Sequence, residues 1–116
     1  MKILRLTLHK KWFDLIASGK KHIEYREHKP HWISRLMNKG GPVKQFDEIH
    51  FANGYGNNRP FMRTGFDGIV TFTPGEGPSF FEPHNGEELT GRTFAIFIGE
   101  VLEVRIPRKT SPPGSA

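Results

Sequence analysis

Apolar residues recur at every second position in four separate stretches of this chain, and that periodicity limits the fold more than any other feature. From Ile3 to Leu8, Leu4, Leu6 and Leu8 alternate with Arg5 and Thr7, the spacing of a strand with one buried face. In His22 to Arg26, Ile23 and Tyr25 point one way while His22, Glu24 and Arg26 point the other. Ile49 and Phe51 face inward in Glu48 to Ala52, and Asn53-Gly54 closes that strand with a turn signal. Phe61 to Phe72 reads as a further strand, bent or bulged near Gly65 and Gly68. Phe94, Ile96, Ile98, Leu102, Val104 and Ile106 keep an even register across Gly99-Glu100, which predicts one long strand or two joined by a bend.

Between the first two strands the period changes. Trp12 and Ile16 lie four apart, Phe13 and Ile16 three apart, with Leu15 beside them, so Lys10 to Ser18 forms a short amphipathic helix. Gly19 stands where a helix ends in a left-handed residue. Pro30 opens a second helix with Trp32/Leu36 and Ile33/Met37 as i, i+4 pairs, and Gly40-Gly41-Pro42 ends it. Residues 74 to 92 read as a long Gly/Pro-rich loop, and the tail RKTSPPGSA carries no apolar content. The expectation is an α+β domain over 1–108, a small β-barrel of five or six strands with two short helices near the N-terminus, followed by a flexible tail over 109–116.

A chain of 116 residues without cysteine must hold its fold by packing, which suits a reducing cytoplasm. No apolar run approaches the ~18 residues that span a bilayer, and the N-terminus lacks the continuous apolar core of a signal peptide. The chain reads as soluble and cytoplasmic. Its 17 Lys and Arg against 12 Asp and Glu give a formal charge of +5, which biases encounters towards polyanions such as RNA or DNA. His28-x-x-His31 matches no zinc signature, so neither metal nor cofactor is predicted.

The chemistry concentrates in SGKKHIEYRE. Glu24 and Arg26 share a strand face, about 7 Å apart along it at ~3.3 Å per residue, and Lys21 can lean over the same face. A carboxylate between two cations can accept hydrogen bonds from the exocyclic amine of a base, while Lys21 supplies a point charge and Arg26 a planar fork for phosphate or carbonyl oxygen. The alternative is a solvated face whose salt bridges contribute only ~0 to 1 kcal/mol. His22 shares the face of Glu24, and His9 closes the first strand nearby. Tyr55 and the pair Phe80-Phe81 could stack on bases, Trp12 and Trp32 read as core, and Arg63, with Arg59, Arg92, Lys10, Lys11, Lys20 and Lys29, could extend a basic rim.

The strand LRLTL, the helix KKWFDLIASGKK and the pattern G-x-K-x-x-E-x-R at Gly19, Lys21, Glu24 and Arg26 resemble the ASCH domain, a branch of the PUA-like β-barrel superfamily. FDEIHFANGYG and the closing strand ending in EVLEV are similar to bacterial and phage members. The resemblance implies a cleft beside the motif that binds RNA or a nucleoside or nucleotide through Lys21, Glu24 and Arg26; Tyr55, His9, His22 and Arg63 join them as candidate ligand-binding residues by residue type and position. It also implies a competing enzymatic reading, because some members hydrolyse N4-acetylcytidine and others cleave RNA. In the acetylcytidine amidohydrolases that it resembles, a threonine proposed as nucleophile stands at the Glu24 position. A hydrolase here would instead use Glu24 or a histidine as base, with Lys21 and Arg26 stabilising the developing negative charge.

Overall fold

A computed structural model describes residues 1–56, 58–74 and 91–107. The predicted strands form as β1 (Ile3–Leu8), β2 (Ile23–Glu27), β3 (Glu48–Asn53), β4 (Phe61–Phe72) and β5 (Thr93–Arg105). Two helices, α1 (Lys10–Ala17) and α2 (Pro30–Leu36), flank β2 in the chain. The strands form one sheet in the order β1-β3-β4-β5-β2, with β1 parallel to β3 and the other pairs antiparallel. Parallel neighbours cannot be joined by a tight turn. The chain therefore leaves β1, crosses to the far edge to lay down β2, and returns before β3.

The sheet curls into a half-barrel, giving a small α+β fold. Its inner face carries Leu4, Leu6, Leu8, Ile49, Phe51, Met62, Phe94, Ile96 and Ile98, closed over by Trp12, Phe13 and Ile16 of α1 and Leu36 of α2. A smaller cluster of Ile23, Tyr25 and Ala95, with Phe72 and Phe97, lies on the opposite face near the β2 edge. The curl is concentrated in β4 and β5, whose register shifts between Arg63 and Thr64, Thr64 and Phe66, and Phe66 and Gly68. Bulges of this kind sharpen twist and bend a ribbon.

Two sequence expectations change as a result. The even register of β5 does not survive the bulges: Thr64 pairs with Val101 and Phe66 with Ile98, so β5 takes an extra residue there. Val101 packs against the core, while Leu102, Val104 and Ile106 are 44%, 41% and 64% exposed. The second helix stops at Leu36 instead of running on to Gly40-Gly41, because Met37 turns extended and bridges to Val43. Met37 still reaches the core from there. Phe80-Phe81 and the tail over 109–116 lie outside the described residues.

Candidate functional site

The path from α1 to β2 determines where Lys21 goes. Gly19 adopts φ 79°, and the amides of Gly19, Lys20 and Lys21 all fold back to α1, the first to the Ile16 carbonyl and the other two to that of Leu15. This wrapped C-terminus carries Lys21 under the helix instead of out to solvent. Lys21 is 1% exposed, and its Nζ lies 5.3 Å from the centroid of Trp12 and 5.3 Å from that of Tyr25. Two aromatic faces thus offset part of the ammonium's lost hydration.

Glu24 is 0% exposed and opposes Ile96 on the inner face. Its Oε1 accepts the Tyr25 N–H at 3.1 Å and stands 3.2 Å from Arg26 Nη1, which also donates to the Tyr25 carbonyl at 3.0 Å. Because β2 is the sheet edge, the backbone groups of Tyr25 need partners other than a strand. Glu24 and Arg26 supply them from their own side chains. Arg26 then rests 5.0 Å from the Trp32 ring, which Arg35 approaches at 4.9 Å. Burial and the nearby Arg26 charge lower the Arg35 pKa from its ordinary value. With Lys21 and Glu24 wholly enclosed, the motif is not a solvated face of surface ion pairs.

Beside this buried group opens a cleft of about 360 Å³, lined by Gly19, Lys21 and His22 on one side and by Asp67, Gly99 and Glu100 on the other, with Ile16, Ile98 and Val101 as its apolar wall. It exists because β2 starts at Ile23, opposite Phe97, while β5 runs on past that point. Asp67 reaches it through a bulge: Phe66 pairs with Ile98 and Gly68 with Phe97, leaving Asp67 as the extra residue. Gly68 takes φ 117° to complete that turn. At Gly99 a Cβ would come within 3.0 Å of the Gly65 carbonyl carbon and 3.1 Å of Asp67 Oδ1. Only glycine lets the two backbones approach closely enough to lay the Asp67 carboxylate along the cleft.

Asp67 and Glu100 escaped the sequence reading. The available signal was three glycines inside strands, at 65, 68 and 99, since a glycine bulge commonly re-aims the side chain beside it. The residues predicted from sequence are not all brought together. Lys21 and His22 line the cleft; Glu24 and Arg26 stand behind it along β2. His9 is the exposed cap of α1, with its carbonyl bonded to the amides of Trp12 and Phe13, and it does not line the cleft. Tyr55 is 88% exposed beyond the end of β3 and stands apart from the cleft as well.

Arg63 belongs to the outer face. It donates to Glu48 Oε2 at 2.9 Å and to Glu103 Oε1 at 3.0 Å, and His50 lies 3.0 Å from Glu48 Oε1. The His50 hydrogen bond, followed by those from Arg63, holds the Glu48 carboxyl below its ordinary pKa, and Glu103 and Glu48 raise that of Arg63. Among the described residues no group of three His, Asp or Glu side chains is arranged to hold a metal ion. No helix among them is long and apolar enough to cross a membrane.

No protein-family model, curated protein or solved structure matches this chain. The chemistry of the cleft is therefore read from its own residues.

Proposed function

We propose that the chain is an ASCH-type domain of the PUA-like class that takes a nucleobase, as a free nucleoside or within RNA, into the cleft beside Lys21. The observation that carries this reading is a lysine 1% exposed that still lines a cleft open to solvent. Burying an ammonium costs several kcal/mol before compensation, and groups held at such cost concentrate at functional sites. The volume of about 360 Å³ falls within the range of small-molecule sites. Lys21 can donate to a base carbonyl, and Asp67 and Glu100 can accept from an exocyclic amine. Two carboxylates at the mouth oppose a phosphate, so the sugar–phosphate backbone stays outside, near the exposed Lys20. Glu24, bonded to Tyr25 and Arg26, acts in this reading by fixing β2 and not as a general base.

One observation favours hydrolysis as a second reading: the exposed imidazole of His22 lines the same cleft as Lys21 and has access to a 2′-hydroxyl or a water there. A thermal-shift screen of nucleosides and short RNAs, combined with product analysis, separates the two. Binding predicts a raised Tm with unchanged ligand, lost in Lys21→Met and altered in Asp67→Asn. Product that disappears in His22→Ala replaces binding with hydrolysis. No protection by any nucleoside or RNA overturns both.

A further inference from the structure

We propose that two copies of the chain associate by antiparallel pairing of the exposed edge of β5 about a two-fold axis at Val104. The starting point is unequal treatment of the sheet's edges. Strand edges left open invite pairing with another chain, and proteins blunt them with charged side chains, prolines or covers. On β1 the Arg35 guanidinium donates to the Arg5 carbonyl. On β2 the side chains of Glu24 and Arg26 occupy the amide and carbonyl of Tyr25. β5 is different. β2 pairs with it only over Thr93 to Phe97, and the Ile98 amide bonds to the His22 carbonyl. Among the described residues no strand pairs with Gly99 to Arg105 on the side away from β4. That stretch holds neither lysine nor proline. It carries the exposed Leu102 and Val104 between the charged Glu100, Glu103 and Arg105, and the exposed Ile106 follows it.

The sequence of this edge selects a second copy as its occupant, and selects one register. With the axis at Val104, Val104 faces itself, Leu102 faces Ile106 of the partner, and Glu103, already bonded to Arg63 and Arg105 of its own chain, extends that ion-pair network to the partner's Arg105. Symmetry repeats each contact, giving apolar residues opposite apolar ones and two pairs of opposite charge. Moving the axis to Glu103 sets two carboxylates opposite each other, and moving it to Arg105 does the same with two guanidiniums. An axis between residues sets Glu103 or Arg105 against an apolar partner. A polyanion is a poor occupant, because Glu100 and Glu103 lie along the same edge.

The absence of cysteine makes the test direct. Val104→Cys places the sole thiol of each copy opposite its twin, at the ~4.5 to 5.5 Å Cα separation of an antiparallel pair, which a disulfide spans. Under mild oxidation this variant is expected to cross-link at least about tenfold faster than Ile106→Cys, whose equivalent in the partner lies four positions away, because association raises the local thiol concentration. An equimolar mixture of Leu102→Cys and Ile106→Cys is expected to yield the mixed dimer. Sedimentation equilibrium should show concentration-dependent dimers for the unmodified chain and monomers for Val104→Glu. Equal cross-linking of Val104→Cys and Ile106→Cys, or a monomer at every concentration, overturns the proposal, and capture of a different protein by the edge overturns it in favour of a heterologous partner.

Discussion

Glu24 accepts a hydrogen bond from the backbone beside it, and its substitution reports on that role. Glu24→Ala leaves the Arg26 guanidinium, whose side chain is 11% exposed, without the carboxylate 3.2 Å away. The expected loss is about 3 to 5 kcal/mol in urea unfolding, the range for breaking a buried pair by removing one partner. Glu24→Gln retains an acceptor for the Tyr25 amide and should lose less. On the outer face, Glu48 gives a pH dependence of defined sign. Its carboxyl is held low in the folded state, by the His50 hydrogen bond first and by Arg63 next, so its contribution is complete above the unfolded value of ~4.3 and lost as pH falls through the folded value. A Tm profile should therefore decline through that acid window, and Glu48→Gln should flatten the decline. Lys21, Glu24 and Arg26 stand out in the sequence, where alternation alone puts 24 and 26 on one face but does not position Lys21. Their burial was not legible, since it depends on Gly19 folding the chain back under α1 and on Trp12 and Trp32 meeting the two cations.

At the scale of elements, β1 and β4 run over the residues predicted for them: β1 buries one continuous face, Leu4, Leu6 and Leu8, while β4 buries Met62 and Thr64 and then, beyond its bulge, Ile69. β5 followed its pattern only to Ile98. Beyond Gly99 the phase of the buried face depends on how many residues β4 sets opposite it, a non-local quantity that no single strand's periodicity encodes. The glycines that mark this region are the places to test it. Gly99→Ala drives a Cβ to 3.0 Å from Gly65 backbone and 3.1 Å from Asp67 Oδ1, so the ribbon must open and Asp67 must move. The expected cost is about 1 to 3 kcal/mol by chemical denaturation, together with loss of ligand protection. Gly68→Ala has open space for its methyl group but must hold φ 117°, so it should destabilise through backbone strain without contact.

For the whole molecule, a net charge of +5 pointed to polyanions, yet the cleft that the fold builds has carboxylates at its mouth and one enclosed lysine. Overall charge and site charge thus act at different steps, the first on encounter and the second on selection. Short-RNA affinity should accordingly fall with salt while nucleoside affinity stays nearly constant, as titrations at several ionic strengths would establish. The most direct measurement is an amide-resolved NMR titration of the chain with cytidine and adenosine. Nucleobase binding beside Lys21 predicts shifts at Gly19, Lys21, His22, Gly99 and Glu100 that vanish in Lys21→Met. Shifts confined to Arg5, His50 and Arg63 on the opposite face, or no shifts at all, would contradict it.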